Sequence, residues 1–387
     1  MGMIYFDNAA STWPKPEGVG EAMLEAVKEY GANPGRGGHQ LSLKASRVVF
    51  QTRAALAKLF GIKDPTNIVF FSNATVALNQ VIKGFRWQEG DHVISTTYEH
   101  NSVRRPLEFI HREYGVQVSY IEPDHNGHIP LDEVEKLIHS KTKLIVCTHV
   151  SNLTGSILPV TEIGHLAKQH QVPFLVDASQ SAGSIPIHIS EMNIDLLAFP
   201  GHKGLYGPQG TGGLYISPDI DLLPLVHGGT GSQSESIDQP TVRPDRYESG
   251  TVNTPGIAGW KAGLDFVMQE GIDTIWEHER SLTQYALQEL KKIEQVIIYG
   301  PDEEVERAPV IPINIKGMDA QECSFILDQH FGIATRAGMH CTPLGHQAIQ
   351  TIESGAVRIS FGYFNTLEEI DQLIVAVKEI SKSVATT

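Results

Sequence analysis

The chain has 387 residues, 41% hydrophobic and 19% charged, a soluble globular composition long enough for two or three domains with a sizeable core. Its 45 acids against 30 bases give a formal charge of −15 with no basic run, which argues against nucleic acid or an anionic membrane as partner. No apolar stretch approaches the ~20 residues of a membrane span and the N-terminus lacks a signal-peptide layout, so the chain is read as cytoplasmic.

Pro16 opens an expected helix in which Val19, Ala22, Met23, Ala26, Val27 and Tyr30 share one face. The glycine-rich link from Gly31 to His39 follows, and its Arg36 and His39 either face an active site or belong to a plain loop. A second helix, near Leu43 to Phe60, stops at Gly61. The expected strand Asn67 to Phe71 runs into Ser72-Asn73-Ala74-Thr75, after which Ala77, Leu78, Val81 and Ile82 mark a helical face. Strand, small polar turn, then helix start is a layout that binds a phosphate, because first-turn N–H groups are free and the helix dipole favours an anion. Ordinary capping by Ser72 or Asn73 is compatible with the same geometry.

His92 to Thr96 reads as a strand that delivers Tyr98-Glu99-His100-Asn101. Strand and helix signals then alternate: Val116 to Ile121, Leu131 to Ile138, Lys143 to Val150, Val160 to His170, and Phe174 to Asp177. The alternation predicts an α/β fold with a mostly parallel sheet and flanking helices. Cys147 lies inside one of the apolar runs and is read as core.

Asp177 ends a strand-length apolar run, the place where open α/β sheets put their ligands. A buried ionised aspartate there needs a partner, and a pyridinium nitrogen is one; a helix cap or a magnesium ligand are the other readings. The next run, Leu196 to Phe199, breaks at Pro200-Gly201 and carries Lys203 into a loop with glycines at 204, 207, 210, 212 and 213. Those glycines predict turns with positive φ and close approach to a ligand. A lysine delivered by a strand end into such a loop is either a partly desolvated amine suited to Schiff-base chemistry or a surface charge. Strand-end acid followed by strand-end lysine is the pair used by pyridoxal phosphate (PLP) enzymes.

From Ile220 to Tyr247 the chain is irregular, the mark of a functional or mobile loop. Beyond Gly256 the pattern changes to helices and short strands. Residues 15–255 are therefore read as a large domain and 256–387, joined by the N-terminal arm 1–14, as a smaller α+β domain. Cys323 falls on one of these helices and reads as packed. Cys341 differs, since it lies in the polar turn-forming stretch Arg336 to His346, where Arg336 and His340 are expected to lower its pKa. It is either a reactive thiol or an incidental loop cysteine, and a metal site from His340, Cys341 and His346 lacks a matched second cluster. No metal is expected. In Val357-Arg358-Ile359-Ser360-Phe361, Arg358 points away from the apolar face, either as a carboxylate fork or as a surface arginine.

Together His149 to Gly155, Val176 to Gly183, Gly201 to Gly213, Glu248 to Asn253 and Arg336 to Cys341 resemble the class V aminotransferase family. The resemblance runs from Asp7-Asn8-Ala9-Ala10-Ser11-Thr12 to Tyr363-Phe364-Asn365-Thr366 and is strongest to the group II cysteine desulfurase and selenocysteine lyase branch. It implies the PLP-dependent transferase fold (fold type I) and a homodimer. By the same resemblance, Ala74, Thr75 and Thr251 hold the PLP phosphate, Thr251 from across the dimer interface. His100 lies against the ring, Asn152 beneath it, Gln180 at its phenolic oxygen and Asp177 at its nitrogen, with His202 beside the Schiff-base Lys203. Arg358, with Arg336 and Asn152, binds the substrate carboxylate, while Lys203, His100 and Cys341 are catalytic. Two departures weaken the phosphate site: Pro200 stands where the branch often has a hydroxyl, and Ala74 replaces a Thr.

The implied reaction removes sulfur from L-cysteine, leaving a Cys341 persulfide and alanine, with a sulfur-carrier protein or thiol as acceptor. The alternatives are a selenocysteine lyase, or a class V aminotransferase or epimerase in which Cys341 is a bystander.

Overall fold

Short apolar runs punctuated by glycine and small polar residues become the strands, and amphipathic stretches between them become the helices. The computed structural model describes residues 2–35 and 37–385, so Arg36 lies outside the described residues. In chain order these are β1 (Ile4–Tyr5), α1 (Glu17–Glu29), α2 (Gln40–Phe60), β2 (Ile68–Phe71), α3 (Ala74–Gly84), β3 (His92–Thr96), α4 (Asn101–Tyr114) and β4 (Gln117–Ile121). Next come α5 (Leu131–Leu137), β5 (Thr142–Thr148), α6 (Val160–Gln169), β6 (Phe174–Asp177), β7 (Leu196–Pro200) and β8 (Gly212–Ile216). The remainder comprises α7 (Thr254–Glu270), α8 (Ile272–Lys291), β9 (Val296–Ile298), β10 (Val310–Ile315), α9 (Ala320–Phe331), β11 (Ile333–Ala334), β12 (Arg336–Gly338), α10 (Pro343–Ala348), β13 (Ala356–Ser360) and α11 (Leu367–Ala385).

Seven strands form the main sheet in the order β2-β8-β7-β6-β5-β3-β4. Neighbours from β7 to β4 pair in parallel, and β8 alone runs against β7 and β2. The strands β2, β7, β6, β5 and β3 therefore all point their carboxyl ends at one rim. Alternate residues leave for opposite cores: Ile145, Cys147, Phe174, Val176, Leu197 and Phe199 join one, Leu144, Val146, Leu175, Leu196 and Ala198 the other. The first core is covered by α2, α6 and α7 through Leu56, Phe60, Ile163 and Trp260. The second is covered by α3 and α4 through Leu78, Val81, Val103 and Leu107. Burial on both faces is why these strands read as continuous apolar runs rather than as alternating ones.

A second, antiparallel sheet, β12-β13-β10-β9, packs on α8, α9 and α11 around Ile311, Ile313, Val357, Ile359, Leu282, Leu327 and Leu373. The N-terminal arm belongs to it, since Ile4 and Phe6 enter that core and β1 pairs in parallel with β11. Helix α7 does not, because Ile257, Trp260 and Leu264 pack into the main-sheet core.

The α1 face departs from expectation. Val19, Ala26 and Tyr30 are buried, but Val27 is 63% exposed beside an exposed Leu24, and Leu41, Leu43 and Phe50 of α2 are exposed as well. Among the described residues no helix is long and apolar enough to cross a membrane.

Candidate active site

Five strand ends converge on one cavity of ≈ 200 Å³. Strand β2 is followed by Asn73, which caps α3 by accepting the Val76 N–H at 3.0 Å. The N–H groups of Ala74 and Thr75 make no hydrogen bond among the described residues, so the helix start stays open to an anion. Beyond β3, His100 caps α4 in the same way, Nδ1 accepting the Ser102 N–H at 3.0 Å. Burial first, then the nearby cations, pushes His100 down to about 4, so its ring is neutral at physiological pH. Asp177 closes β6 with Oδ1 accepting from the Ser179 N–H and hydroxyl at 2.9 and 2.5 Å. Burial disfavours its charge and pushes its pKa up.

Lys203 follows β7. Its carbonyl accepts from the Tyr206 N–H and the Thr12 hydroxyl, and its amine makes no hydrogen bond among the described residues. Burial, then Arg358, brings that amine down to about 8, with Asp177 opposing. The glycines of this loop serve a different purpose from the expected one. Of Gly204, Gly207, Gly210, Gly212 and Gly213, only Gly210 has a positive φ, 79°. A Cβ at Gly207 would sit 2.6 Å from the Trp260 ring, at Gly212 2.6 Å from the Asn73 backbone, and at Gly213 2.5 Å from the Phe199 ring. Protein packs on protein here, fixing the lysine loop against β2's turn.

Arg336 on β12 and Arg358 on β13 are register partners across an antiparallel pair. Like charges set opposite each other are destabilising unless an anion joins them. One does so in part: Asp7 Oδ1 accepts from Arg358 Nη2 at 2.8 Å. Arg358 Nη1 donates to the Asn152 carbonyl at 3.0 Å, and its buried Nε has no partner. The arginine expected either as a fork or as a surface charge is thus buried and already half engaged.

Cys341 is exposed while the preceding His340 is buried, and both are left-handed (φ 59° and 46°). Its carbonyl accepts the Asn101 N–H at 2.8 Å, which docks the thiol loop on the start of α4. Asn152 braces the loop at both ends, donating to the His340 carbonyl and accepting from the Thr342 hydroxyl, each at 2.7 Å. His340 cannot act as the expected cation beside Cys341. Burial, then Arg358, holds it down to about 3, and its Nε2 donates to the Ala356 carbonyl at 2.9 Å.

Ala74, Thr75, His100, Asn152, Asp177, Gln180, His202, Lys203, Arg336, Cys341 and Arg358 all line this one cavity. The sequence matches the family described as Aminotransferase class-V over residues 4–373. The chain belongs to the class-V aminotransferase family. Similar proteins include a probable cysteine desulfurase of Methanothermobacter thermautotrophicus, 36% identical over 98% of this chain and 94% of the relative. A probable cysteine desulfurase of Pyrococcus abyssi is 35% identical over 98% and 95%. Among solved structures, the apo cysteine desulfurase of Thermococcus onnurineus NA1 superposes with a TM-score of 0.93 at 35% identity, covering 98% of this chain and 95% of that one. The cysteine desulfurase CsdA of Escherichia coli, with an S-sulfonic acid, gives 0.89 at 25% identity over 98% and 95%.

Class-V aminotransferase family enzymes are generally PLP-dependent, and the residues present fit that group. A buried acid with one oxygen unengaged, a lysine amine without a partner and an open helix start line the same space. Among the described residues no cluster of three or more His, Cys, Asp or Glu side chains could hold a metal ion.

Thr251 is the one expected site residue absent from the cavity, lying exposed along two outer grooves. His39 is also elsewhere, capping α2 through Nδ1 and the Ser42 N–H. Gln180 lines the cavity with its Nε2 donating to the Ala9 carbonyl at 2.9 Å.

Sequence reasoning missed Ser102, whose hydroxyl lies 2.7 Å from Thr75 Oγ1 and 2.9 Å from His100 Nδ1, linking the turn after β2 to the His100 ring. It also missed Asp7, although an acid beside small residues in Asp7-Asn8-Ala9-Ala10 was a signal.

Proposed function

We propose that this protein is a PLP-dependent cysteine desulfurase that takes sulfur from L-cysteine onto Cys341 and releases L-alanine. The observation that carries this reading is an exposed thiol, Cys341, in the same cavity as the Lys203 amine and the Arg336 and Arg358 pair. Lys203 would attach PLP, Asp177 would face its ring nitrogen, and Ala74 and Thr75 would hold its phosphate. His100 and Asn152 would flank the ring, with Gln180 at its phenolic oxygen and His202 beside Lys203. PLP, when bound, supplies the electron sink for the substrate Cα.

The rest falls to the chain's own residues. Arg358, with Arg336 opposite, orients the α-carboxylate, and Lys203 takes the Cα proton. The Cys341 sulfur attacks the substrate sulfur. One S–S bond forms as the carbon–sulfur bond breaks, and the electron pair returns to carbon, where a proton completes alanine. A thiol or sulfur-carrier protein then removes the outer sulfur. Supporting a homodimer are Thr251, exposed away from its own Lys203, and the exposed Leu24, Val27, Leu41, Leu43 and Phe50 on α1 and α2. We place the protein in the cytoplasm, where three unpaired cysteines are ordinary. We place the domain boundary at Gly271 rather than 256, since α7 packs with the main sheet.

The test is mass spectrometry after incubation with L-cysteine: the Cys341 peptide should gain one reducible sulfur atom. Absence of that gain while alanine forms would refute the persulfide route. Arg358→Lys keeps the charge and loses the fork, so substrate binding should weaken by about 2 kcal/mol, read as a rise in KM for L-cysteine. An unchanged KM would move the carboxylate site elsewhere.

A further inference from the structure

Helix α8 carries Glu277-His278-Glu279-Arg280, a run that reads as a solvated face. Glu279 is instead turned inward and 3% exposed, and its Oε2 has no hydrogen-bond partner. Among the described residues it makes no ion pair; the Ser184 hydroxyl faces it, and Tyr206 lies near. A buried acid without a counter-charge is costly, and an apolar side chain would fill the position at less cost.

Glu279 lines a small cavity of ≈ 20 Å³ together with Ser184, Lys203 and Gly204. That cavity and the active-site cavity share Ala9, Gln180 and Lys203 as their common wall. A Cβ at Gly204 would come within 2.7 Å of the Ala182 carbonyl oxygen and 2.9 Å of Ser184 Oγ, so the residue after the lysine must be glycine for the chain to pack here. A water needs roughly 10–15 Å³ and two to four polar partners; the cavity has the volume for one molecule, and Glu279 Oε2 offers it an unused acceptor.

We propose that this cavity is a water site behind Lys203, and that Glu279 and the free lysine amine exchange a proton through the water bound there. One N–H bond of the ammonium breaks toward the water oxygen while one water O–H bond breaks toward Glu279 Oε2. The products are a neutral amine, a water and a neutral carboxylic acid, with no change of oxidation state. The reverse transfer reloads the lysine. The two groups are matched for this, since burial brings Lys203 down to about 8 and Glu279 up to about 8. Arg358 and Arg336 favour the free amine, while Asp177 and Asp7 favour the ammonium. Glu279 touches no substrate and is a positioning residue for the proton. The inference rests on Lys203 being the working amine.

Three measurements on the full chain test it. A high-resolution crystal structure of the wild-type holoenzyme should show one ordered water within hydrogen-bond reach of Glu279 Oε2 and Lys203, and a dry cavity would overturn the proposal. In the full chain stripped of PLP, Lys203 acetylation by acetic anhydride is followed against pH by peptide mapping. Glu279→Gln removes the proposed proton partner and its negative charge, so the midpoint should fall by on the order of half a pH unit. An unmoved midpoint in a folded variant would overturn it. With Cα-deuterated L-cysteine, Glu279→Gln should return more deuterium to the alanine, because exchange with solvent is slowed; equal retention would overturn it. If L-cysteine is not desulfurised by the wild type, the proposed function fails, while the water and the acetylation midpoint still decide this inference separately.

Discussion

Lys203→Ala is expected to leave a folded protein that no longer holds PLP through a borohydride-reducible bond, with L-cysteine desulfuration down by on the order of 1,000-fold or more. The fold should survive because the backbone contacts of Lys203, from Tyr206 and Thr12 to its carbonyl, do not depend on the side chain. Activity should not, because the amine, brought down to about 8, is both the expected anchor and the base for the Cα proton. The rival amine is Lys15. It donates to the Thr12 hydroxyl and the His202 carbonyl at 2.6 and 2.8 Å, and burial lowers it to about 7. A reduced adduct mapped to Lys15 rather than Lys203 would overturn the assignment.

Cys341→Ala separates proton chemistry from sulfur chemistry. Lys203, Asp177 and Arg358 are untouched, so exchange of the substrate Cα hydrogen with deuterated water should continue near the parent rate. Alanine release from L-cysteine should fall to background, because no thiol remains to take the sulfur. Selenocysteine, with a weaker carbon–selenium bond, is expected to lose less. Since Asn152 grips the His340 carbonyl and the Thr342 hydroxyl, alanine at position 341 should not free the loop. Parent-rate desulfuration by this variant would remove Cys341 from the mechanism.

Strand ends were the legible part of this site. His100, Asn152, Asp177 and Lys203 each follow a short apolar run, and local pattern suffices to find where such a run stops. The turn after β2, with its open helix start, was legible for the same reason. What escaped was set by distant neighbours. Asp7 meets Arg358 across 351 positions, and no local window contains both. Glu279 sits in a charged run whose pattern gives no sign that one member is buried. His340 was expected to be a cation because sequence shows its neighbours but not its burial, and burial decides its charge. Val27 followed the helical period of a buried face, yet period cannot tell a core face from an apolar face left exposed. The loop glycines signalled tightness correctly, but the crowding atoms come from Trp260, Asn73 and Phe199 rather than from a ligand.

The Asp7 and Arg358 pair also has a bearing on how the molecule is born. Ribosomal synthesis delivers Asp7 351 residues ahead of Arg358, the centre of β13. Chains grow at roughly 5–20 residues per second, so Lys203 emerges about 10–30 s before its arginine neighbour. During that interval the strands around Asp177 and Lys203 are already made, but Asp7 has no Arg358 guanidinium to meet. The nascent chain therefore carries the strands that position Asp177 and Lys203 before it carries the arginine that pairs with Asp7. Emergence of β13 then brings Arg358 to the cavity that Asp177 and Lys203 already line.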